Sequence, residues 1–192
     1  MKERTFSGNG INMTVKYPIK TSSGIIITER SFFTCDVLEV APGLLGKVLA
    51  VKSENELISR FIISETEAYR GSDDKACHAS KGRTPRTEIM FHRGARLYVY
   101  FVYGMYWMLN IVTGMENDPQ AVLIRGLKGC TGPGRVAKLI GIDRSFYGED
   151  LTTSSRIWIE DQGITPVYKT GPRIGINYAG EPWKSMLWRF YF

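Results

Sequence analysis

The sequence predicts one domain that mixes β-strands with α-helices, and three observations lead there. The chain has 192 residues, enough for one sizeable core and too few for two comfortable ones. Its strongest apolar stretches, at 57–69, 97–113 and 120–127, are short and carry the β-branched and aromatic residues that suit strands. Residues 31–41 and the run through Val136, Leu139 and Ile140 instead space their apolar residues at a helical period.

Residues 1–30 are polar, contain several Gly and Ser, and hold one apolar cluster, Ile25-Ile26-Ile27. A loosely ordered arm is expected there, ahead of a domain over 31–192. Phe32, Phe33, Val37, Leu38 and Val40 define a first helix over 31–41, stopped by Pro42-Gly43. A short helix from Leu44 is expected to pass into a strand through Val48 to Val51. The polar turn at 52–56 then reverses the chain into a strand ending at Tyr69.

Residues 70–95 are loop-rich, and Asp73-Asp74 is a candidate cap for a short helix through Ala76 and Ala79. The segment Lys81-Gly82-Arg83-Thr84-Pro85-Arg86-Thr87 suits phosphate contact, and equally suits an ordinary surface loop. Residues 97–113 read as two strands with Tyr103-Gly104-Met105 at the tip between them. A Tyr and a Met beside a tip glycine have the form of an apolar wedge that parts stacked bases.

In the strand at 120–127, Arg125 interrupts the apolar run and needs a carboxylate or phosphate partner. Gly129 to Gly134 is a Gly-rich turn opening a helix that carries Arg135 and Lys138. Ile157 to Glu160 reads as a further strand, 169–176 as an irregular strand or loop, and the aromatic last ten residues as packing on the core.

Composition narrows the function classes. Lys plus Arg is 25 against 19 Asp plus Glu, giving +6, which favours a polyanionic partner, nucleic acid first. The 3 cysteines lack a CxxC pair, so a reducing compartment and no disulfide scaffold are expected. No apolar stretch follows Lys2, Glu3 and Arg4, so no signal peptide is expected. Residues 97–115 hold no charge, yet Tyr and Trp lie through their middle rather than at their ends, which argues against a bilayer span. No Walker pattern and no GxGxxG occur. Cys77-His78 lacks further ligands at zinc spacing, so no metal or cofactor is implied.

Residues 64–78 concentrate the chemistry. Glu65, Glu67 and Tyr69 share one face of a strand, and His78 follows just beyond a Gly-Ser-Asp-Asp turn. Such a group can hold and attack a flat substrate; it can also be a solvated strand face with a loop histidine.

Beyond these local readings, the chain resembles the alkyladenine (3-methyladenine) DNA glycosylase family. The matching segments are Glu65-Thr66-Glu67-Ala68-Tyr69 followed by His78, Arg83-Thr84-Pro85-Arg86, Met90-Phe91, Leu97-Tyr98-Val99-Tyr100, Tyr103-Gly104-Met105-Tyr106 and Asn110-Ile111. Then come Ala121-Val122-Leu123-Ile124-Arg125, Gly132-Pro133-Gly134, Ser145-Phe146 and Gly171-Pro172-Arg173-Ile174-Gly175. In the family's order they cover roughly residues 34–191.

The resemblance implies a single α+β domain, a curved antiparallel sheet surrounded by helices, with a protruding hairpin. It implies excision of alkylated or otherwise damaged purines (3-methyladenine, 7-methylguanine, hypoxanthine, ethenoadenine) from double-stranded DNA bound in the minor groove. By residue, it implies that Glu67 is the general base and that Arg125 helps hold the water and the carboxylate. Tyr69, His78 and Tyr100 enclose the flipped base, and Asn110 crowds the amino group of normal guanine. Tyr103, with Met105 beside it, fills the vacated place in the duplex. Arg83, Arg86 and Arg135 are the candidate backbone contacts.

The residue types suit that chemistry. Flipping exposes the glycosidic bond, an aromatic cage favours a cationic alkylpurine, and one ionised carboxylate can activate water and stabilise an oxocarbenium-like sugar. The matched motif holds no lysine placed as a Schiff-base nucleophile, so a monofunctional hydrolase is expected, acting as an intracellular monomer, cytoplasmic in a bacterium or nuclear in a eukaryote. Two other readings stand beside it: a non-catalytic module of the same fold that senses damage, and a glycosidase acting on a small nucleoside through Glu65 and Glu67.

Overall fold

The computed structural model describes residues 24–192; the expected arm lies for the most part outside the described residues. A large antiparallel sheet forms the molecule, with few helices against it. The strands are β1 (Ile25–Ile26), β2 (Val48–Lys52), β3 (Ile58–Arg70), β4 (Leu97–Val102), β5 (Tyr106–Thr113), β6 (Gln120–Leu127), β7 (Cys130–Thr131), β8 (Ile157–Asp161), β9 (Lys169–Gly171) and β10 (Arg189–Tyr191). They run in the order β1-β8-β2-β3-β6-β5-β4, with β10 bridging β3 and β9 and β7 on β6.

The 13-residue β3 is the spine. Its first half pairs with β2 and its second half lies between β6 and β10. Its pairing with β6 contains two offsets of opposite sense. Ile63 faces Leu127 and Glu65 faces Gly126, so Ser64 is surplus on β3; Thr66 then faces Ile124, so Arg125 is surplus on β6. Paired bulges of this kind re-aim side chains locally. Gly126 makes the first possible, because a Cβ there would lie 2.8 Å from the Glu65 Cβ.

The helices are α1 (Arg30–Phe33), α2 (Val37–Gly43) and α3 (Pro133–Ile140). The single helix expected over 31–41 is broken, because the Asp36 carboxylate accepts the Leu38 N–H (2.9 Å) and starts a second helix. No helix follows Leu44; residues 44–46 turn directly towards β2. Asp74 is not a helix cap. It is fully buried and paired with Arg173, while a short 3₁₀ turn, His78–Lys81, begins without a side-chain cap.

The main core packs Phe33, Val37, Leu44 and Leu45 against Ile63, Leu109, Ile111, Ile124 and Leu127, with Val136 and Ala137 of α3 on the same cluster. The aromatic last residues do pack there, through Phe190, and they do so as strand β10. The uncharged stretch 97–115 contributes β4 and β5, and among the described residues no helix is long and apolar enough to cross a membrane.

Candidate active site

Glu67 sits in the middle of the sheet with none of its surface exposed. Its strand neighbours are Leu123 on β6 and Arg189 on β10. One carboxylate oxygen accepts the Ile174 backbone N–H at 2.9 Å, and the other accepts the Tyr69 hydroxyl at 2.8 Å. The Arg125 guanidinium stands 3.6 Å away. Burial pushes the Glu67 carboxyl above the ordinary glutamate value, although the Ile174 N–H, Arg125 and Tyr69 act in the opposite direction. A carboxylate has about four lone-pair positions, so these donors leave acceptor capacity on Glu67 unused, although none of its surface is open to solvent.

Arg125 finds the carboxylate partner its sequence position demands, and the nearer one is Glu65, at 3.1 Å. Glu65 also accepts from Arg189 at 2.9 Å. It is therefore tied to two guanidinium groups rather than to backbone. Glu65, Glu67 and Tyr69 do gather with Arg125, as their common strand face requires.

Beside them lies a pocket of about 330 Å³, counting its solvent-filled mouth. It is lined by Tyr69, His78, Tyr100 and Asn110, together with Tyr98 and Tyr178. The His78 and Tyr100 rings meet edge-on with centroids 4.7 Å apart. His78 Nδ1 is 2.8 Å from the Tyr98 hydroxyl. Burial, aided by Arg86 and Lys81, brings the His78 pKa down to about 4, so its imidazole is neutral at physiological pH. Burial pushes the Tyr98 phenol up to about 12. Asn110 is buried, and its amide donates to the Tyr98 carbonyl at 3.0 Å.

Behind Tyr69, the Arg173 guanidinium stacks 4.8 Å from the ring centroid and 4.9 Å from that of Trp188. It pairs with Asp74 through contacts of 2.5 and 2.9 Å. Asp74 also accepts the backbone N–H groups of Arg70 and Ala76. This buried pair fastens the loop that leads to His78 to the segment that supplies the Ile174 N–H.

Sequence reasoning took Asp74 for a helix cap and assigned no role to Arg173, Ile174 or Tyr178. The one signal for Arg173 and Ile174 was the Gly171-to-Gly175 segment, which resembled the family without suggesting a contact.

Tyr103 and Met105 stand on the turn joining β4 and β5, 80% and 63% exposed. The Met105 N–H closes that turn onto the Val102 carbonyl, and both central residues have positive φ, +56° at Tyr103 and +65° at Gly104. A bulky residue there is strained, since such turns favour Asn-Gly. Of the candidate basic residues, Arg83 pairs with Glu88 (2.8 Å) and Arg86 lies over the Tyr100 ring (4.9 Å). Arg135 is exposed on α3, near the Thr131 hydroxyl.

The whole sheet and site fall within residues 31–192 save β1, and those residues match the family model described as methylpurine-DNA glycosylase. A protein of Psychrobacter cryohalolentis is 41% identical over 193 residues, covering 85% of this chain and 91% of its own length. One of Rickettsia felis is 40% identical over 173 residues (86% and 93%). One of Methanocella arvoryzae is 38% identical over 185 residues (86% and 92%). All three are provisionally named 3-methyladenine DNA glycosylase. The chain belongs to the methylpurine-DNA glycosylase family, hydrolases of N-glycosyl bonds.

Proposed function

We propose that the protein is a base-excision DNA glycosylase that draws an alkylated or otherwise damaged purine out of duplex DNA into the aromatic pocket and hydrolyses its N-glycosyl bond with a water activated by Glu67. The observation that carries this reading is the fully buried Glu67 carboxylate, held by two hydrogen bonds with the Arg125 guanidinium 3.6 Å away, beside a pocket walled with aromatic rings. A raised carboxyl pKa brings a general base closer to the working pH. Flat purines stack on aromatic faces, and extrusion is the general route by which enzymes reach a base inside a duplex.

In this mechanism Tyr69, His78 and Tyr100 hold the base. Asn110, fixed by its bond to the Tyr98 carbonyl, crowds the exocyclic amino group of guanine. The β4–β5 turn protrudes from a curved sheet into the minor groove, where Tyr103, flanked by Met105, occupies the vacated place; the strain and exposure at Tyr103 support this. Arg83 and Arg135 face the phosphates, whereas Arg86 stays over the Tyr100 ring. The substrates are 3-methyladenine, 7-methylguanine, hypoxanthine and ethenoadenine. The reaction stops at the abasic site, and the protein acts as a monomer. Glu65, occupied by Arg125 and Arg189, is poorly suited to be a second acid–base group, which disfavours a small-nucleoside glycosidase working through a carboxylate pair.

The test is release of free 3-methyladenine from alkylated duplex DNA by the wild-type protein and by Glu67→Gln. Release by the wild type alone supports the reading; binding of damaged duplex with no release by either protein would mean a damage-sensing module instead.

A further inference from the structure

Arg86 differs from the other arginines around the pocket. Arg83, Arg125, Arg173 and Arg189 each have a carboxylate partner. Among the described residues none lies within ion-pair distance of Arg86, whose guanidinium is instead 4.9 Å from the Tyr100 ring centroid. Tyr100 lines the pocket and Arg86 does not, and the Arg86 charge also acts on the lining residues Tyr98 and His78, so it stands against the pocket wall. A built turn holds it there. The Thr84 N–H donates to the Thr87 hydroxyl (2.9 Å), that hydroxyl bonds the Gly82 carbonyl (2.9 Å), and the Tyr147 hydroxyl donates to the Arg86 carbonyl (3.3 Å).

Tyr69 is backed by a guanidinium as well, but Asp74 pairs with Arg173 and cancels much of its charge. The pocket thus has two tyrosine walls with cations behind them, one compensated and one not.

A cation on one face of a ring occupies part of the attraction its π system offers, and repels a second cation stacked on the other face. Across a tyrosine the two charges stand about 8 Å apart, close enough for a repulsion that solvent and salt reduce without abolishing. Purines alkylated at N3 or N7 are cations; hypoxanthine and ethenoadenine are neutral. We propose that Arg86 is a specificity-determining residue, whose unpaired charge behind Tyr100 disfavours cationic alkylpurines relative to neutral purine lesions. This inference rests on the glycosylase reading and assigns that pocket a preference within its substrate class.

The experiment compares wild type, Arg86→Gln and Arg86→Lys in single-turnover excision from duplexes carrying 7-methylguanine or hypoxanthine at neutral pH. The side chain is exposed, so the variants should fold, which a thermal melt verifies. Arg86→Gln should raise the ratio of 7-methylguanine to hypoxanthine excision about threefold or more. Arg86→Lys, which keeps the charge but not the planar stacking, should fall between the two. A pure phosphate contact would lower both rates together and reduce the salt dependence; an unchanged or falling ratio overturns the proposal. The same ratio is also measured as affinities in a Glu67→Gln background. Failure of the wild type to release either base refutes the glycosylase reading, while the affinity ratio still decides the role of Arg86.

Discussion

In the proposed mechanism, Glu67→Gln is expected to separate catalysis from folding. The substitution keeps the shape of a fully buried side chain and keeps an oxygen for the Ile174 N–H, now 2.9 Å away. The amide can still meet the Tyr69 hydroxyl, with donor and acceptor exchanged. What it cannot do is take a proton from water. Loss of a general base costs about 10²- to 10⁴-fold, or roughly 3–5 kcal/mol of transition-state stabilisation.

Stability should move the other way. Burial raises the Glu67 pKa in the folded chain, so the folded state binds this proton more tightly than the unfolded state does. The resulting stabilisation is complete below the ordinary glutamate value and is lost as pH rises through the raised one. At pH 7.5 the ionised carboxylate is therefore a burden that the amide lacks, and at pH 4 the two side chains are nearly equivalent. The assay is single-turnover excision from alkylated duplex alongside melting curves at both pH values. Expected are a rate loss of about a hundredfold or more and a melting temperature at or above wild type at pH 7.5, with the gain shrinking at pH 4. Excision within threefold of wild type would refute the role of Glu67; a variant destabilised at pH 7.5 would refute the account of its burial.

If Glu67 acts as the proposed base, its carboxylate must be ionised and its pKa is raised, so wild-type single-turnover rates should fall on the acid side at a pH above the ordinary glutamate value; a flat profile down to pH 4 would contradict this. Tyr103→Asn should relieve the positive-φ strain and stabilise the fold by about 1 kcal/mol, raising the melting temperature by about 2–4 °C, while excision from duplex DNA drops about tenfold or more. Arg173→Met leaves Asp74 buried and unpaired; a destabilisation of about 3–5 kcal/mol is expected in chemical denaturation. Glu65→Gln frees Arg125 and Arg189 from their shared partner and should cost about 2 kcal/mol, lowering the melting temperature by about 4–8 °C, with a smaller rate loss than Glu67→Gln.

Much of the sheet was legible in the sequence, because strands such as Gln120–Leu127 and Ile157–Asp161 are apolar runs bounded by turns. The pairing of residues 97–102 with 106–113 followed from Gly104 near the middle of an aromatic stretch. The break at Asp36 was missed because the apolar period on either side is continuous while one side-chain bond resets the helix. Glu67, Tyr69 and Arg125 could be grouped from strand alternation and the need of a guanidinium for an acid. The partners that complete the site could not. Ile174 meets Glu67 through a backbone N–H, which any non-proline residue supplies, and it lies 107 positions away. Asp74 looks like a capping residue until Arg173, 99 positions on, is folded against it. β10 reads as an aromatic tail, and its pairing with Glu65 to Glu67 on one side and β9 on the other makes it a strand.

The offsets at Ser64 and Arg125 cancel, so the ladder between β3 and β6 has the same register on both sides of the site. Deleting Ser64 alone would leave the surplus at Arg125 uncompensated. Everything beyond it on β3 would then shift by one residue, turning Glu67 and Tyr69 to the opposite face of the sheet. Deleting both would restore a regular ladder and remove the guanidinium that the irregularity presents. Length at these two places is thus coupled: this stretch can absorb substitutions one at a time, but a change in residue count in one strand is tolerable only if the other strand changes with it.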